Sequence, residues 1–124
     1  MPVRGIRGAT VAPLDQAEAV LNATRELIAA IQTANPELKP ADIASAFFTV
    51  TDDLQSAYPA QAVRQMGWDS VPLMCAREIP VPGSLARCIR VLVHWNTELS
   101  QEAVRPVYLG AAASLRPDLN RTDL

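Results

Sequence analysis

At 124 residues with a formal net charge of −2, the chain is one ordinary domain, long enough to bury a real core. Its basic residues are scattered, which argues against nucleic acid as a partner; no run reaches the roughly 18 apolar residues of a membrane span and no signal-like segment opens the sequence, so a cytoplasmic protein is expected. Cys75 and Cys88 make no disulfide framework and His94 is the single histidine, so neither a metal site nor a cofactor is expected.

Residues 3–10 alternate weakly around Gly5 and Gly8 and read as a first strand. Asp15 followed by Glu18 has the form of a capping box. Beyond it Val20, Leu21, Thr24, Leu27, Ile28 and Ile31 recur at helical spacing, which predicts one amphipathic helix ending at Asn35-Pro36. Residues 43–51 are β-branched and aromatic, a second strand. Pro59 suits the first turn of a short helix through Ala62, Val63 and Met66, with Gly67 as its C-terminal cap. Residues 71–79 form a third strand, and Pro72 and Pro80 favour an edge or irregular position for it.

The fourth strand is "RCIRVLVHW", residues 87–95, set between a Pro82-Gly83 turn and Asn96. Residues 100–104 read as a short capped helix, residues 107–109 as a fifth strand and the polar residues 116–124 as a mobile tail. No repeat or linker divides the chain, so residues 1–124 make one domain of the α+β class. The expected architecture is a mixed sheet of about five strands with one long and one short helix on one face.

Alternation in the fourth strand places Ile89, Val91, Val93 and Trp95 on one face and Cys88, Arg90, Leu92 and His94 on the other. The first is a core face. The second sets a guanidinium in an apolar row, where an unpaired buried charge is costly. Two helices cannot cover both faces of such a sheet, so the second face is expected to meet other copies of the chain, with Arg90 in a cleft. Ten arginines stand against one lysine, Lys39; base composition accounts for this as well as a site needing forked donors does.

The segments "RGIRGAT" (4–10), "AYPAQAVR" (57–64), "VPLMCAREIPVPGSL" (71–85), "RCIRV" (87–91), "VYL" (107–109) and "LRPDL" (115–119), in this order, resemble the monofunctional chorismate mutases of the trimeric, sheet-containing class. The resemblance implies a homotrimeric pseudo-barrel with active sites between subunits. It also implies a cofactor-free isomerase that rearranges chorismate to prephenate on the way to phenylalanine and tyrosine. Carried onto matching positions, it places Arg7, Arg90 and Tyr108 at the substrate's carboxylate and ether groups, and Glu78 and Cys75 near its ring hydroxyl. A neighbouring subunit is expected to supply Tyr58, Ala60 and Arg64; Leu73, Met74 and Leu115 shape the wall, and Arg116 belongs to a tail that closes over it.

Plainer readings stand beside these. Arg7 reads equally as an exposed strand arginine, Glu78 with Arg77 as a solvated pair, and Tyr108 as a core residue. Cys88 reads as a small packed hydrophobe and His94 as structural or exposed. Strict alternation separates Cys75 from Glu78, so their joint role requires a bulge between Pro72 and Pro80. Gln61 stands where the family pattern leads us to expect a lysine, which removes a steering cation but keeps a hydrogen-bond donor. Small trimeric imine deaminases share the length and an arginine for a carboxylate, but not "RGIRGAT" or "LRPDL". A trimeric small-molecule-binding module without chemistry is the non-enzymatic alternative.

Overall fold

The computed structural model describes residues 1–119. Among them five strands run as β1 (Val3–Val11), β2 (Ile43–Val50), β3 (Leu73–Arg77), β4 (Cys88–Asn96) and β5 (Val107–Tyr108). Helix α1 (Ala17–Ala34) follows β1 and the short α2 (Pro59–Arg64) follows β2. The strands form one sheet in the order β3-β2-β4-β1-β5. The central pairs, β1 with β4 and β2 with β4, are antiparallel; the outer pairs, β2 with β3 and β1 with β5, are parallel. The sheet is therefore mixed, and the third strand takes the edge position that its flanking prolines favour.

Alternation sorts the strands as expected. Ile89, Val91, Val93 and Trp95 of β4 are buried, as are Ile6 of β1 and Ala46, Phe48 and Val50 of β2. Helix α1 lays Val20, Leu21, Thr24, Leu27, Ile28 and Ile31 onto this face, and α2 packs against α1. Gly8 sets how close α1 comes: a Cβ there would stand 2.8 Å from Cδ1 of Ile31 and 3.3 Å from Cδ1 of Leu27. Glycine lets helix and strand meet at this distance without displacing those side-chain ends.

Asp15 does not cap the helix. Gln16 holds the N-cap position without a side-chain bond, while Oδ1 of Asp15 accepts from the main-chain N–H groups of Gln55 (2.9 Å) and Ser56 (3.1 Å). These bonds hold its carboxyl below the usual carboxylate range. A local pattern is outcompeted by a contact 40 residues away along the chain.

The end of α1 is where expected, at Asn35, and its side chain explains why the helix is tied there. Nδ2 donates to the carbonyls of Ile31 (3.0 Å) and Arg105 (2.9 Å), and Oδ1 accepts from the N–H of Arg105 (2.9 Å). One buried amide thus anchors the helix to the segment leading into β5. Asn35→Ala leaves both main-chain groups of Arg105 without these partners, and the expected loss is about 2 kcal/mol of unfolding free energy. Denaturant titration checks this; an unchanged midpoint and slope would contradict it.

Gly67, in the left-handed region at φ 95°, ends the short helical segment, with the N–H of Trp68 returning to the carbonyl of Val63 (3.1 Å). Ser100 caps a 3₁₀ turn, Gln101–Ala103, where the sequence predicts a short helix. The last described residues, 116–119, do not project from the fold. Leu115 and Leu119 pack against the Ala9, Tyr108 and Ala112 cluster, because these apolar side chains find a pocket at the β5 end of the sheet. Residues 120–124 of the expected mobile tail lie outside the described residues. Among the described residues no helix is long and apolar enough to cross a membrane.

Candidate active site

The sheet face away from α1 is open, and pairing across it brings the sequence-derived candidates into rows. Ala9, Arg90, Thr49 and Ala76 lie side by side on β1, β4, β2 and β3, with Tyr108 next to Ala9 on the far side. The adjacent row is Arg7, Leu92, Phe47 and Met74. Glu78 follows β3 directly, its N–H bonded to the carbonyl of Val50 at 2.9 Å. Oε1 of Glu78 lies 3.5 Å from Nε of Arg90, and the hydroxyl of Thr49 donates to Oε2. Arg90, Glu78, Arg7, Tyr108 and Met74 therefore share one face in a single chain. The guanidinium in the apolar row is half-exposed and paired with a carboxylate.

The turn entering β4, just ahead of Arg90, is held in an unusual conformation. Arg87 sits in the left-handed region at φ 49°, which costs a residue with a side chain on the order of 1 kcal/mol. Asp53 holds it there, accepting from its N–H with both carboxylate oxygens (3.1 and 2.9 Å), while Nε of Arg87 donates to the carbonyl of Ala12 (2.9 Å). The hydroxyl of Thr51 donates to Asp53 (2.6 Å) and accepts from the N–H of Cys88 (2.9 Å). The Thr51 bond, with those from Arg87, holds the Asp53 carboxyl below its usual range. Cys88, next in sequence, is buried, and burial pushes its thiol up against the opposing pull of Arg90. That is the environment of a packed hydrophobe.

His94 lies two rows from Arg90 with Nδ1 3.0 Å from the hydroxyl of Ser45 and its ring edge-on to Phe47 at 5.6 Å. Phe47, Met74 and Leu92 leave 41%, 61% and 40% of their surface exposed, so the open face carries a contiguous apolar row. At its β5 end, Arg116 is paired with Asp118 at 3.1 and 2.9 Å. That pairing, and more weakly the charge of Arg7, keeps the Asp118 carboxyl below its usual range. The described end of the chain thus lies over the Arg7 and Tyr108 side of the face, with Leu115 beneath it.

Two groups of candidates fall elsewhere. Cys75 and Leu73 pair with Phe48 and Ala46 and pack against the core on the helical side of the sheet, so their side chains do not join Glu78. No bulge interrupts β3; the single register shift lies between β2 and β4 at Ile43 and Ser45. Parallel pairing to β2 in unbroken register keeps strict alternation through Arg77. Tyr58, Ala60, Gln61 and Arg64 lie on α2 or at its start, on the helical side of the sheet. Ala60 is buried, whereas Tyr58, Gln61 and Arg64 project into solvent. Thr49 is a member of the site that no sequence motif singles out, although alternation from Phe47 alone places it on the open face. Among the described residues no cluster of His, Cys, Asp or Glu is suited to a metal ion.

Residues 3–119 match the family model for chorismate mutase type I. The chain is 55% identical over 117 residues to the chorismate mutase AroH of Thermus thermophilus, covering 94% of this chain and 96% of the relative. It is 42% identical over 123 residues to the chorismate mutase AroH of Bacillus subtilis, covering 98% and 96%. A solved chorismate mutase from Clostridium thermocellum superposes with a TM-score of 0.86 at 44% identity, over 89% of this chain and 97% of that one. Matches of this extent leave one assignment: the chain belongs to the chorismate mutase type I family.

Proposed function

We propose that this protein rearranges chorismate to prephenate, an isomerase step towards phenylalanine and tyrosine, in a cleft on the open sheet face that a neighbouring copy completes. The observation that carries the reading is the Arg90–Glu78 pair on that face, flanked by Arg7 and Tyr108, in a chain of this family. The reaction breaks a carbon–oxygen bond while a carbon–carbon bond forms, and it calls for no nucleophile and no proton transfer. A protein accelerates it by holding the compact conformer and by aiming donors at the charge that develops. Arg90 faces the breaking ether oxygen, which gains negative charge. Glu78 takes the ring hydroxyl and favours the positive fragment. Arg7 and Tyr108 hold the substrate's carboxylate side, and Met74 and Leu115 form the wall.

The homotrimer completes this arrangement. An exposed apolar row of Phe47, Met74 and Leu92 needs cover that the two helices of the same chain, both on the other face, do not give. Arg64 and Tyr58 project from the helical side, free to reach into a neighbour's cleft. Gln61 enters that cleft as an uncharged donor, with Ala60 packing beneath it as part of α2. Leu73 and Cys75 support the wall from the core side, and Arg116 closes the cleft over Tyr108.

Mixing the protein with chorismate and following the loss of its ultraviolet absorbance tests the reading. Turnover to prephenate supports it; binding without turnover assigns a ligand-binding module instead. Because no proton moves in the rate-determining rearrangement, kcat is expected to be flat between about pH 6 and 9 and indifferent to chelators. A bell-shaped profile would contradict this chemistry.

A further inference from the structure

We propose that Thr49 is a positioning residue that holds the Glu78 carboxylate in its working orientation. The inference rests on the role of Glu78 given above. Glu78 lies just beyond the end of an edge strand, and no side chain of its own strand fixes its head group. Thr49 comes from β2, one strand inward, where it sits between Arg90 of β4 and Ala76 of β3. Ala76 leaves the path between Thr49 and Glu78 open, since its side chain ends at Cβ.

The two oxygens of Glu78 are then divided. The Thr49 hydroxyl donates to Oε2, and Oε1 faces Nε of Arg90 at 3.5 Å. A carboxylate offers about four lone-pair sites, so each oxygen retains a position for a substrate hydroxyl after these contacts. A β-branched residue suits the task because its χ1 is restricted on a strand, so the hydroxyl stays aimed at one point. Thr49 is only half-buried and its methyl is not part of the main hydrophobic cluster, so the residue has no evident packing duty that Val or Ser would fail.

Thr49→Val keeps the shape and removes the donor. It is expected to lower kcat about tenfold, the scale of one lost hydrogen bond to a charged group, with the thermal midpoint nearly unchanged. Thr49→Ser restores the donor and should recover most of the lost kcat. In a Glu78→Ala background, Thr49→Val should cost nothing further, because its only target has gone. If Glu78→Ala is impaired but Thr49→Val behaves as the unmodified protein, the positioning role is overturned and the role of Glu78 stands. The positioning role is overturned in the same way if the two losses multiply in full, or if Ser fails to rescue. If Glu78→Ala itself turns over normally, the reading of Glu78 fails and this inference falls with it.

Discussion

Arg90→Ala is expected to fold normally while its kcat falls by on the order of 10²–10³, the scale of a lost donor to a developing oxyanion. The side chain is half-exposed on the open face and contributes nothing to the core packing under α1, so its removal opens no cavity there. What is lost is a fixed positive charge, placed by the strand before substrate arrives and therefore costing no reorganisation in the transition state. Arg90→Lys keeps the charge but shortens and unforks the donor set, and should remain clearly impaired. Steady-state kinetics on chorismate decides. A normal kcat for Arg90→Ala would sink the electrostatic mechanism, whatever happened to KM.

A second large effect is expected when two nearly inactive proteins are combined. In one chain Arg64 lies on the helical side and Arg90 on the open face, so the proposed cleft draws them from different copies. Arg64→Ala and Arg90→Ala should each be nearly inactive alone. After denaturation and co-refolding of equal amounts, about one quarter of clefts in a closed cyclic trimer contain both arginines. Activity should therefore rise towards a quarter of that of the unmodified protein. Were both arginines to serve the same copy's site, every cleft would still lack one and mixing would restore nothing. Confirmed heterotrimers no more active than their parents would reject the shared cleft.

How much of the fold and site is legible in the sequence depends on the reach of the interaction concerned. Alternation in β4 assigns both faces correctly, and the 3.6-residue period of α1 finds its buried stripe, because each pattern is repeated many times within one element. Pro59 and Gly67 mark the start and end of the α2 segment for the same local reason. Asp15 misleads because its carboxylate binds the main chain of the 55–56 loop in preference to the helix behind it. Arg87 looks like an ordinary first strand residue; its positive φ depends on Asp53 and Ala12, neither near it in sequence. In the site, Arg90, Arg7 and Tyr108 come together because antiparallel and parallel pairings place them in neighbouring rows. Cys75 is drawn away because no bulge forms, and register is a property of two strands, not one. Thr49 is invisible for a related reason: a threonine in a strand is ordinary until the residue across from it is known.

The order β3-β2-β4-β1-β5 has a consequence for how the site breathes. Arg90 rides on β4, at the centre of the sheet between β2 and β1, and Arg7 on β1, which pairs with β4 along its whole length and with β5 at Gly8 and Ala9. Glu78 hangs from the margin of the sheet, beyond the five residues of β3, and Tyr108 from a two-residue strand at the opposite margin. The two arginines thus belong to the long, paired strands, where local opening is expected to be rarest, and Glu78 and Tyr108 to the short outer strands and their ends, where fraying is expected first. On the proposed roles, the entropy lost on binding a ligand falls on those margins, while the Arg90 charge is ordered as soon as the protein folds.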